Sequence, residues 1–390
     1  MAESPPRLRV WYRPMLAREA HEAHRAATTL ELLFDLCFVV AVSRAGAALH
    51  HALAENHVAH GVFNYLCVFF AIWWAWLQFT WFASAYDIDD VAYRLAVLVQ
   101  IAGGLVIAAG VARAFEGDFA VVVTGYVVMR LAGVTQWLRA ARGDPKRRRT
   151  ALRYVLGIAA LQVAWIARPL LPTPWLVPSF LGLTLAELAV PVWAEHAGHT
   201  TWNAHHIAER YGCFTLIVLG ETVVGATSAI QEGLEEGHNI AGLVSLAAAG
   251  LVIVFSMWWL YFDRPGHRRL TSFRTAVVWG YGHYFIFASA AAVGAGMEVA
   301  VDYDTHKGHL AHLPAGLAIP LPVAIYLIST WLLHIGPSNE CRPIAIGFPV
   351  AAGLVLAAAF SPAPVHITAA IVAGLVALMV AVTREHPVEP

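Results

Sequence analysis

The chain has 390 residues, of which 59% are apolar and only 13% charged, and its mean hydropathy is +0.61. A soluble domain carries about 25% charged residues, so this chain has too little polar surface to face water all round, and a lipid bilayer is the solvent that fits. The net charge of −1 supplies no basic field for nucleic acid.

Residues 1–27 form an Arg/His-rich segment with Arg7, Arg9, Arg13, Arg18 and Arg25. No apolar core precedes Thr28, so this stretch is not read as a signal peptide. Twelve apolar segments follow, near 30–50, 62–84, 93–114, 118–138, 153–171, 175–194, 206–230, 240–262, 274–298, 315–335, 343–361 and 364–383. About 20 apolar residues span a bilayer as a helix. Runs of this length are too long for barrel strands, so the expected fold is an all-α integral membrane protein of about twelve spans. Gly143-Asp-Pro145, Pro172-Thr-Pro174 and Pro362-Ala-Pro364 supply turn chemistry between spans. The four cysteines, Cys37, Cys67, Cys213 and Cys341, form no CxxC pair and read as small packing residues.

Basic residues set the expected orientation. With both termini and the even-numbered loops in the cytoplasm, that side holds 20 Lys and Arg, against three (Arg113, Arg168 and Lys307) on the other. The heaviest loop runs from Arg139 to Arg153 and reads as a topology anchor.

The chain also reads as a duplication. Pro172, Pro174 and Glu195-His196 recur 190 residues on as Pro362, Pro364 and Glu385-His386. Glu31 falls on Glu209, Arg94 on Arg274, and Trp73-Trp74 on Trp258-Trp259. The expected division is a first six-helix repeat over 28–196 and a second over 197–386. Six is even, so the two repeats would be parallel.

Charges inside a bilayer cost about 2.5–3.5 kcal/mol each on insertion scales, and those that persist usually face the protein interior. The set here is Asp35, Arg44, Arg130, Glu187, Glu209 and Glu221, with His283 as a neutral relative. Glu31 and Asp35 are four apart at the start of span one, so they share a face near a helix N-terminus. That pattern fits either a capped, charge-stabilised helix entry or an ion or proton site. Asp35 and Arg44 are nine residues apart, on opposite faces, so Arg44 needs a partner on another helix. The duplication offers Glu221, for which Arg130 competes. His205 and His206 stand four and three residues before Glu209, a face suited to a metal, a proton relay or a hydrogen-bonded cap. His50, His51, Glu55, His57 and His60, and later His306, His309 and His312, read as polar loops with capacity for transient divalent binding. Trp73-Trp74-Ala-Trp76, with Phe79, Trp81, Phe82 and Tyr86, reads as an interfacial aromatic belt with helix packing, or as a pocket for a lipophilic ligand. No GxxxxGK[ST], GxSxG, HExxH or GxGxxG motif appears, and no cofactor is expected.

At spans one and seven the sequence resembles the bacterial low temperature requirement A (LtrA) family. The resemblance rests on Thr29-Leu-Glu31-Leu-Leu-Phe34-Asp35-Leu-Cys-Phe38-Val and on His205…Glu209-Arg210-Tyr211-Gly212-Cys-Phe214-Thr-Leu-Ile-Val-Leu219-Gly220-Glu221, with the Trp-rich second span and Asp87. It implies a multi-span protein of the bacterial plasma membrane and carries no biochemical activity over. Phe34-Asp35 is also similar to part of the Phe-Ser-Asp motif of two-repeat potassium channels, without its Ser. The first functional expectation is a transporter or channel for an ion or small solute, lined by spans one and seven. Glu31, Asp35, Arg44, Glu209 and Glu221 would carry selectivity or coupling, and Arg130 and Glu187 would support them. The alternatives are a lipid- or lipophile-binding protein that supports growth in the cold, and a membrane-embedded metal-dependent enzyme using His205, His206 and Glu209.

Overall fold

The computed structural model describes residues 10–20, 22, 25–235, 239–305, 307, 310–336 and 342–385. Arg7, Arg9, His306, His309, Cys341 and His386 lie outside the described residues. Among those described, all regular structure is helical. The long helices are α1 (Thr29–Ala54), α2 (Val58–Tyr86), α3 (Val91–Phe115), α4 (Ala120–Gly143), α5 (Arg148–Ala167), α6 (Leu176–Glu195), α7 (Ala204–Glu235), α8 (Ile240–Phe262) and α9 (Phe273–Asp304). A short α10 (His312–Leu317) leads into α11 (Pro320–Thr330), which ends in a π-helical turn, Trp331–Ile335. The chain closes with α12 (Arg342–Ala358) and α13 (Pro364–Glu385).

Among the described residues, eleven stretches are long and apolar enough to cross a membrane, His312–Ile335 counting as one, and Arg342–Ala358 is a shorter apolar helix. These match the twelve segments expected from composition, and the turn residues act where anticipated. Pro145 and Pro174 sit in 3₁₀ turns, and Pro364 opens α13. Caps fix several starts. Thr28 and Glu31 form a reciprocal capping pair at α1, with Thr28 N–H donating to Glu31 Oε2 at 2.7 Å and Glu31 N–H donating to Thr28 Oγ1 at 3.3 Å. Asp90 caps α3, Asn203 accepts from His206 N–H at the start of α7, and Ser272 with Thr275 boxes the start of α9.

By contacts the chain divides into two compact units. One comprises residues 1–41 and 71–210, the other 42–70 and 211–390. In the first, α3 packs on α4, α4 on α5 and α5 on α6. The α3–α4 seam is close because Gly103 and Gly125 face each other. A Cβ on Gly125 would lie 2.5 Å from Gly103 O and 2.6 Å from Ile107 N. Short basic-loop contacts hold one end of this unit. Asp90 accepts from Arg13 N–H at 2.8 Å and from Arg139 Nη2 at 2.6 Å, while Asp144 accepts from Arg147 at 3.0 Å. In the second unit, α9 packs on α11, α11 on α12, α12 on α13, and α13 on α8.

Candidate functional site

Membrane-level charge survives where it is buried and paired, and two such groups occur in the first unit. The first is built by α1 and the start of α7. Glu31 and Asp35, one turn apart, project from the same face of α1, and His206 and Arg210, also one turn apart, project from one face of α7. All four side chains are buried, with exposures of 0–1%. Arg210 Nε donates to Asp35 Oδ2 at 3.1 Å, and Nη2 bonds Oδ1 of the same carboxylate. Arg210 Nη1 lies 3.2 Å from Glu31 Oε1, and His206 Nε2 lies 3.1 Å from that same oxygen. Trp76 of α2 adds an indole N–H to Asp35 Oδ1 at 2.7 Å, and the Phe79 ring lies beneath the Arg210 guanidinium, 5.6 Å away.

This geometry has a simple charge count. Two carboxylates face one guanidinium, so the group is balanced when His206 is protonated and carries one net negative charge when it is neutral. His206 Nδ1 is buried with no hydrogen-bond partner. Just outside, Arg25 donates to the carbonyls of Ala83 (2.6 Å) and Ser84 at the end of α2, and the Ala83 carbonyl also accepts from Asp87 N–H at 3.1 Å. Asp87 sits in the connection after α2. Burial, with Glu31 nearby, pushes its carboxyl up to about 6.

The second group centres on Glu187 of α6, which is fully buried. Three helices aim donors at it: Trp74 Nε1 of α2 at 2.9 Å, Arg130 Nη2 of α4 at 2.6 Å and Trp165 Nε1 of α5 at 3.3 Å. Arg130 also lies over the Tyr126 ring.

The expected site residues divide as follows. Glu31, Asp35 and His206 come together, and Arg130 pairs with Glu187 rather than with Glu221. Arg44 is exposed, Glu221 is half-buried, and neither makes an ion pair among the described residues. His205 and Glu209 are exposed, the latter accepting from Ala27 N–H at 3.2 Å. With His206 they form no set that could hold a metal; none exists among the described residues. The aromatic run of α2 is not an interfacial belt. Trp73, Trp74 and Trp76 are at most 1% exposed, and two of them satisfy buried carboxylates. Of the residues assigned to the first loop, His50 lies within α1. It bonds Glu298 (Nδ1, 2.9 Å) and Asp302 (Nε2, 2.7 Å), which are four apart on α9.

Arg210, the central cation of the first group, was absent from the charges singled out in the sequence. Its signal is the four-residue step from His206, which matches the step from Glu31 to Asp35. His283, the neutral relative of the intramembrane charges, gathers partners that its sequence position does not announce. His283 of α9 bonds Tyr261 Oη (3.1 Å) and the Trp279 carbonyl (2.7 Å), and its ring centre is 5.5 Å from that of His334 in the π turn.

The fold and this site define a multi-span α-helical membrane protein with carboxylate–guanidinium networks buried among its helices. The chain matches the family described as bacterial low temperature requirement A protein (LtrA) over residues 26–382, and it belongs to that family. It is similar to a protein of Rhizobium meliloti (strain 1021) described as uncharacterized, with 24% identity over 385 residues, covering 94% of this chain and 90% of the relative. No solved structure matches.

Proposed function

We propose that this LtrA-family membrane protein is a transporter or channel for an ion or small solute. The observation that carries this reading is the buried Glu31–Asp35–His206–Arg210 network on α1 and α7. A purely structural ion pair needs one acid and one base. This group holds two acids, one permanent cation and one titratable base, so a single proton changes its net charge. That property suits coupling of solute movement to a proton. Arg130 and Glu187 support the path as a fixed pair. Arg44, Glu209 and Glu221 are its further intramembrane charges.

The proposed frame is two parallel six-helix repeats, 28–196 and 197–386, after an N-terminal segment 1–27. Both termini are cytoplasmic, and the protein sits in the bacterial plasma membrane. The matched positions between halves and the asymmetry of Lys and Arg support this frame. The test is flux into proteoliposomes across an ion panel, with and without a pH gradient, for wild type, His206→Gln and Glu221→Gln. Flux whose pH dependence is lost in His206→Gln supports the reading. Absence of flux for every ion, with correctly folded protein, overturns it.

A further inference from the structure

A small cavity lies in the first unit among α2, α3, α4 and α5, with a volume of about 30 Å³. That is room for about two water molecules or one halide ion. Its polar lining is Gln78, Gln100 and Arg130; its apolar lining includes Phe79, Phe82 and Trp137. Arg130 is 4% exposed and Gln100 is 6% exposed. The Nε–H of Arg130 is buried with no acceptor, and neither glutamine makes a hydrogen bond among the described residues. Buried donors are normally satisfied, so the Arg130 Nε–H holds unused capacity beside one ion-sized space, and the two glutamine amides in the lining are free to add donors.

We propose that this cavity is a binding site for a single monovalent anion of halide size, held by Arg130 Nε–H and the amide N–H groups of Gln78 and Gln100. The sign of the ligand follows from the lining. Among the described residues that line it, the only charged group is a guanidinium, which repels a cation. Glu187 neutralises that guanidinium through Nη2, but its own oxygens already take donors from three helices, and it does not line the cavity. An orphaned donor needs an acceptor. A halide accepts from all three groups at once, and each amide can turn its N–H end inward. Phe79 closes the site on one side and lies against Arg210 of the neighbouring charge group.

The test reads binding, not flux, so its outcome is separate from that of the transport reading. The purified full chain in detergent is titrated with sodium bromide against sodium gluconate at constant ionic strength, and thermal unfolding is followed by circular dichroism. Bromide should raise the Tm of the wild type saturably, as mass action requires. Gln100→Leu and Gln78→Leu leave the Arg130–Glu187 bond intact. Each should keep its Tm in gluconate within about 3 °C of wild type, the size of a sub-kcal change, and lose the bromide response. A Tm that does not depend on bromide in the wild type, or an equal bromide response in both variants, overturns the site. Crystals grown in bromide decide independently of the variants: an anomalous peak in the cavity supports it, and a cavity holding only water overturns it.

Discussion

Arg210 reaches Asp35 with two of its nitrogens and Glu31 with a third, so one guanidinium is shared by two carboxylates that α1 presents a turn apart. In a dry interior, removing the shared cation leaves both acids uncompensated. Arg210→Gln should therefore cost about 3–5 kcal/mol, the usual effect of breaking a buried pair. Thermal unfolding in detergent checks this. The double variant Arg210→Gln/Asp35→Asn should recover part of the loss, and strict additivity of the two single effects would show that the pair is not coupled.

Glu187 accepts from Trp74, Arg130 and Trp165, and these contacts draw α2, α4 and α5 onto α6. Glu187→Gln keeps the shape but leaves Arg130 as an uncompensated cation, and should destabilise by about 3 kcal/mol. Arg130→Met in the same chain should restore most of that. Folded yield and Tm of the two singles and the double are the readout.

The α3–α4 seam depends on the absence of two side chains. Gly125→Ala places a methyl group against the backbone of Gly103 and Ile107, and backbone cannot swing aside as a side chain does. The expected cost is about 1–3 kcal/mol from overpacking. Gly133→Ala on the same helix meets nothing within 4 Å and should be neutral by the same melt.

Asp87 has a pH signature. Its carboxyl is held up at about 6 by burial and by Glu31, against the lowering effect of Arg25, Arg18 and the Asp89 N–H. An unfolded chain releases this proton near pH 4. Between about pH 4 and pH 6 the unfolded state therefore binds fewer protons, and stability falls as pH rises through that window. The penalty is complete above about pH 6 and absent below about pH 4, and a two-unit shift corresponds to about 3 kcal/mol at most. Asp87→Asn should accordingly raise Tm at pH 7.5 and leave it unchanged at pH 4. A variant Tm that tracks wild type at both pH values would refute this.

The twelve apolar stretches were legible because a bilayer imposes one simple demand on length and composition, and the four-residue step from Glu31 to Asp35 marked the charged entry to α1. Which face of α7 turns inward was not legible. His205-Glu209 and His206-Arg210 carry the same four-residue step, and periodicity alone does not choose between faces 100° apart. The partner of Arg130 is Glu187 of α6 and not Glu221, because packing of α4 against α5 and α5 against α6 decides which buried groups meet. The tryptophans of α2 looked like interface anchors by composition. Their role depends on Asp35 and Glu187 lying within reach of the indole nitrogens, a distance that no linear pattern contains.

Trp74 and Trp76 stand two positions apart on one helix, and each ends on a different buried acid. The emission of an indole responds to the charge beside its N–H. These two tryptophans of α2 are thus native optical reporters placed one beside each carboxylate network, with Trp165 a second one at Glu187. Single-tryptophan backgrounds that retain one or the other would let a proton entering the Asp35 group be watched separately from any event at Glu187, in the bilayer and without a label.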